Sequence, residues 1–115
     1  SSYFVNGLLR RNFYQIKNSD LLYAISHFED GKVAGGTAWA VQMMIDMAKN
    51  SLHRDDYDVY VFDQNVESWF KYDLIQDFWW QVVTLPLRPG NRDFTGIGTR
   101  DINSAGIDAI RFIME

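Results

Sequence analysis

Two short stretches hold the residue types best suited to chemistry: Gly35, Gly36 and Thr37 ahead of a helix-like run, and Gly98, Thr99 and Arg100 near the end of the chain. Glycine at a strand-to-helix junction leaves backbone N–H groups bare, and a helix N-terminus with bare N–H groups attracts phosphate or another anion. Arg100 offers a planar fork of donors for such an anion. The same glycines can instead serve a tight turn with no ligand, and Arg100 can instead pair with Asp101 or Asp63. Asp63 and Gln64 close a strand-like run, where they could read a ribose hydroxyl or a base edge, or simply cap a turn. Asp63 and Asp101 are the candidate acids or bases for bond cleavage. Trp39 and Trp69 are candidates for stacking a base, with burial as the commoner use of such rings.

Other polar residues point to little. His27 and His53 have no partner at metal-ligand spacing, and Asp55, Asp56 and Asp58 lack the glycine and distal glutamate of a calcium loop. Asn12, Gln15 and Lys17 read as a solvated polar patch. The chain has no cysteine, so disulfides, thiolate chemistry and cysteine-bound zinc are excluded. No metal and no cofactor are expected.

The elements that would position these residues follow from periodicity. Tyr3 to Arg11 reads as a short helix ending in two arginines. Leu21 to Phe28 is an apolar run of strand length, as a central strand of a parallel sheet requires. "EDGK" reads as a turn. From Thr37 to about Asn50, Ala40, Val41, Met44, Met47 and Ala48 recur at helical spacing, with Thr37 as N-cap. "DVYVFDQ" is a second strand, so strand, glycines, helix and strand form a βαβ unit with the glycine turn at the carboxyl ends of its strands. Ser68 to Tyr72 and Phe78 to Val83 read as a hairpin. Pro86, Pro89 and Gly90 mark a loop. A short strand, Gly96 and Gly98, and a helix carrying Ile102, Ala109, Ile110 and Ile113 inward complete one domain spanning residues 1–115.

At 115 residues, 47% hydrophobic and 23% charged, the composition is that of a globular protein with room for one core, and the βαβ unit makes its class α/β. A formal net charge of −4 argues against nucleic acid as a partner, since backbone binding needs a basic face. A small anion can still be held locally. No apolar run approaches a membrane span, and residues 1–15 lack the basic start and apolar stretch of a signal peptide, so a cytoplasmic location and no membrane partner are expected.

The order "RRNFYQIKNSDLLYAI", "VAGGTAWAVQMMID", "DVYVFDQNVESWF" and "FTGIGTRDIN" resembles a family of small Rossmann-like proteins from bacteria, phages and mobile gene cassettes. That family is similar to a branch of the SLOG superfamily, which includes lysine-decarboxylase-like phosphoribohydrolases, molybdenum-cofactor carrier proteins and DNA-processing protein A. The resemblance implies a small Rossmann-like three-layer fold with a mainly parallel sheet and an added β-hairpin, an N-terminus shorter than in relatives, and a nucleotide or ADP-ribose-like ligand. Its phosphate would lie on Gly35, Gly36 and Thr37, with Gly98, Thr99 and Arg100 as a second turn in permuted order. Gln42 falls where the phosphoribohydrolases carry a glutamate, and an amide cannot act as general acid or base. A non-catalytic or weakly catalytic binding domain is therefore the leading expectation. The alternatives are a hydrolase of a nucleotide glycosidic or phosphate bond, and a protein-interaction module of a mobile element. A homodimer is expected, because "DFWW" and Tyr3, Phe4, Leu8 and Leu9 offer more apolar area than so small a core needs.

Overall fold

A strand whose residues are apolar up to its last position is stable only where both its faces are covered. The structure, a computed structural model, describes residues 12–14, 19–84, 86 and 88–115. Its elements in chain order are β1 (Asn12–Tyr14), β2 (Leu21–Ser26), β3 (Phe28–Glu29), β4 (Lys32–Val33), α1 (Thr37–Lys49), a 3₁₀ turn (Arg54–Asp56), β5 (Asp58–Asp63), β6 (Ser68–Asp73), β7 (Phe78–Gln81), β8 (Thr95–Ile97) and α2 (Ser104–Met114). β2 is buried at every position and lies between β5 and β8, parallel to both. The main sheet runs β1-β8-β2-β5-β6-β7, with β1 antiparallel to β8 and β5, β6 and β7 forming an antiparallel meander. The fold is mixed α/β, parallel at its centre.

Alternation along the central strands divides the core in two. Leu21, Tyr23 and Ile25 join Tyr60, Phe62, Trp69 and Phe94 beneath Ala109, Ile110 and Ile113 of α2. Leu22 and Ala24 join Val59 and Val61 beneath Val41, Met44 and Ile45 of α1. Each helix thus covers a different face of the sheet, as a period-2 strand with two apolar faces demands.

Several expectations need correction. Thr37 is the first residue of α1, not its cap; Gly36 holds that position, and the Thr37 hydroxyl donates backwards to the Ala34 carbonyl at 3.1 Å. The inward stripe of α1 is Val41, Met44, Ile45 and Ala48, while Met47 is exposed and Ala40 half-buried, because a 3.6-residue period carries them to the flanks. Gly96 belongs to β8, facing Tyr23 on one side and Tyr14 on the other, so of the two glycines only Gly98 follows the strand. The central strand stops at Ser26. Beyond it, "EDGK" is the turn of a small hairpin, β3 with β4, whose Asp30 and Gly31 both have positive φ (52° and 77°), the geometry in which Asp-Gly joins two strands. The expected hairpin is present as β6 and β7, its second strand ending at Gln81. The expected helix over Tyr3 to Arg11, with Gln15 and Lys17, lies outside the described residues.

Candidate functional site

Because β8, β2 and β5 are parallel, their carboxyl ends share one edge of the sheet. From β2 the chain passes to α1 on one face, and from β8 it passes to α2 on the other. Neighbouring parallel strands whose connections leave to opposite faces open a crevice at their carboxyl ends, the usual ligand position in open α/β sheets. Both glycine turns reach this edge.

The first turn is fixed through Ala34. Its N–H donates to the His27 carbonyl at 2.9 Å, and its own carbonyl accepts from the hydroxyls of Ser26 at 2.9 Å and Thr37 at 3.1 Å. Gly35 then takes a φ of 72°, which turns the chain into the helix. No side chain caps the N-terminus of α1, and no acidic residue stands in its first turn. Gly35 and Gly36 are exposed. Trp39, the third residue of α1, is 66% exposed.

The second turn hangs on Gln64. Its Nε2 donates to the Asp101 carbonyl at 2.8 Å, and its Oε1 accepts from the Asn103 N–H at 3.1 Å. Asn103 returns the contact through Nδ2 to the Gln64 carbonyl at 3.3 Å, and its Oδ1 caps α2 by accepting from the Gly106 N–H at 2.9 Å. A Cβ on Gly106 would come within 2.6 Å of Gln64 Oε1, so the clasp requires glycine there. Within this frame Gly98 is buried, Thr99 half-buried and Arg100 exposed. Arg100 forms no ion pair among the described residues, so neither Asp101 nor Asp63 neutralises it. The Asp101 carboxylate is exposed.

Asp63 is only 5% exposed, and backbone donors occupy both its oxygens: Oδ2 accepts from Phe28 at 3.0 Å, Oδ1 from Asn65 at 2.8 Å and Val66 at 3.2 Å. Ten residues on, the same turn recurs. Asp73 Oδ1 accepts from Ile75 and Gln76 at 2.9 Å each, and Asp77 repeats the positive φ of Glu67 (54° at both). Asp73 lies at an exposed hairpin tip, where such a turn needs no catalytic reason. Asp63 thus organises its turn, buried and held by three backbone donors.

Of the two tryptophans considered for stacking, Trp69 is 7% exposed and packs edge-on against Tyr23, Tyr60 and Phe62, which commits it to the core. Trp39 remains accessible. His27 meets Glu29 at 3.0 Å, and among the described residues no three His, Asp or Glu side chains are grouped to hold a metal ion. A groove of about 350 Å³ lined by Arg88, Pro89, Phe94 and Ile113 lies at the other edge of the sheet, where β8 begins and α2 ends. Among the described residues no helix is long and apolar enough to cross a membrane. Ser26, Asn103 and Gly106 were not anticipated from the sequence. Of these, Asn103 followed by Gly106 carried a readable signal, an Asn N-cap at the head of an apolar-periodic run. No protein-family model, curated protein or solved structure matches the chain.

Proposed function

We propose that this chain is a small Rossmann-like three-layer domain that binds a nucleotide or nucleotide-derived, ADP-ribose-like ligand in the crevice between its two glycine turns. The phosphate lies against the backbone N–H groups at the start of α1 and beside the turn from Gly98 to Arg100, with the Arg100 guanidinium supplying charge. Trp39 offers a face for the base. The observation that carries this reading is the pairing of an N-terminus with no capping side chain and no acidic first turn with an unneutralised arginine on the neighbouring loop. Uncapped helix dipoles and free guanidinium groups both favour an anion. Binding is preferred to hydrolysis because Asp63 is held by three backbone donors and Gln42 cannot transfer a proton, which leaves the exposed Asp101 carboxylate as the candidate acid or base of the alternative, a hydrolase.

Isothermal titration against AMP, ADP and ADP-ribose tests the proposal. At least one should bind, and Arg100→Ala should weaken it about 10- to 100-fold, the worth of a charge-assisted hydrogen bond. No heat from any of the three at millimolar concentration would sink it.

A further inference from the structure

Among the described residues β7 ends the main sheet, and nothing on it discourages a further strand. Phe78, Trp79, Trp80 and Gln81 include no charge and no proline, the devices by which exposed edges are ordinarily kept apart. Which backbone groups face outward follows from the ladder. β6 and β7 pair Lys71 with Trp80 and Tyr72 with Trp79, and the next position out, Trp69 opposite Val82, is hydrogen-bonded, the Val82 N–H donating to the Trp69 carbonyl at 2.8 Å. Antiparallel pairs alternate between bonded and non-bonded. Phe78, Trp80 and Val82 therefore spend their backbone groups on β6, and Trp79 and Gln81 direct theirs to the open edge.

We infer that β7 is the interface of a symmetric homodimer, in which the β7 strands of two copies pair antiparallel about a two-fold axis at Trp80 and continue the sheet from one copy into the other. A two-fold axis perpendicular to the sheet matches faces only when paired residue numbers sum to an even value. The register centred on Trp80 sets Trp79 opposite Gln81 of the second copy and Gln81 opposite its Trp79, so every outward group of the strand finds a partner. Trp80 then meets its own copy in a non-bonded pair, where side chains come closest.

The side chains agree with this register. Trp80 and Phe78 lie on the α2 side of the sheet with ring centroids 4.7 Å apart, and they are 51% and 52% exposed. Two half-exposed rings offer about 200 Å² of aromatic surface per chain. Val83, almost wholly exposed, and the strand backbone extend this toward a total of about 1,000 Å² for the pair, the lower limit for specific association. A second copy fits better than an unrelated strand because the edge is complementary to itself.

The chain has no cysteine, so a single introduced thiol can bridge only between copies. Under mild oxidation Trp80→Cys should give a disulfide-linked dimer, and Gln81→Cys, which faces position 79 rather than itself, should not. Sedimentation of the unmodified chain from about 1 to 100 μM should show mass rising toward two chains. Gln81→Pro removes an outward N–H without breaking the β6 ladder and should remain folded by circular dichroism and monomeric throughout. A constant single-chain mass would overturn the inference. So would a dimer that survives Gln81→Pro, or cross-linking that fails at position 80 or succeeds equally at 81.

Discussion

Gly35 and Gly36 are neighbours that are glycine for different reasons. At Gly35 the backbone sits at φ 72°, a region in which a β-branched residue is strained, by about 2 kcal/mol. At Gly36 φ is −69°, and a Cβ there would meet nothing within 4 Å, so no intramolecular contact forbids a side chain. If the bare backbone exists to admit a phosphate, the two positions should separate in experiment. Gly35→Val should lower the unfolding free energy by about 2 kcal/mol. Gly36→Val should cost under about 1 kcal/mol, the difference between glycine and valine at a helix N-cap, yet abolish nucleotide heat. Denaturant unfolding and titration of both variants measure this. Nucleotide binding by Gly36→Val at wild-type strength would make the second glycine a matter of turn geometry alone. The sequence placed this pair correctly ahead of a helix, but it carries no sign of φ, so the two glycines read alike.

At the scale of elements, the meander from β5 to β7 is built on one turn used twice, and its outer copy titrates. Asp73 is held below the ordinary carboxylate range by the N–H groups of Gln76 and Ile75, and Asp77 by hydrogen bonds from Lys49 of α1 and Tyr72. A carboxyl whose pKa is lowered by folding lends stability that is present above its unfolded value, about 3.9, and is lost as pH falls through its folded value. Acid should therefore loosen the tip of β6 and β7 and its tie to α1 before the centre of the sheet. Amide protection factors at Ile75 and Gln76 should drop between pH 5 and about 2 while those of β2 and β5 hold; equal loss across all these amides would contradict it. The long elements were legible beforehand because they obey a period. β2 and β5 announce themselves as apolar runs bounded by polar residues, and α1 and α2 by three- and four-residue steps. β1, β3 and β4 are two or three residues long, too short to display alternation, and they exist only because a neighbouring strand supplies partners. Asp63 at a strand end allowed either ligand reading or turn capping; the backbone donors show the turn, which Asp73 repeats ten residues on, and that pairing of side chain with backbone is not visible in residue types alone.

Over the whole molecule the sheet has two ends with different tasks. The carboxyl edge carries the glycine turns, and the amino edge is pinned by Arg92. Its Nη1 donates to Asp58 Oδ2 at 2.7 Å, its Nη2 to Asp20 Oδ1 at 2.8 Å, and its Nε to the same Asp20 oxygen at 3.1 Å, so one guanidinium joins the starts of β2 and β5. Lys71 of β6 reaches Asp58 at 3.0 Å and brings a third strand into the cluster. These partners lie 72 and 34 residues from Arg92 along the chain, a separation that no local pattern encodes. Removing Arg92 would leave the Asp58 carboxylate, mostly shielded from water, with Lys71 alone. Arg92→Ala should therefore lower stability by about 1 to 3 kcal/mol, less than for a fully buried pair because the guanidinium and Asp20 are partly solvated. Arg92→Lys should recover only part of this, since an ammonium cannot bridge two carboxylates as a planar fork does. Neither change should move nucleotide affinity beyond the error of titration, because the cluster lies a full strand length from the crevice. Denaturant unfolding alongside titration separates the two ends: a tenfold loss of affinity in Arg92→Ala at unchanged stability would mean that ligand binding depends on the amino edge and that the two ends of the sheet do not have separate tasks.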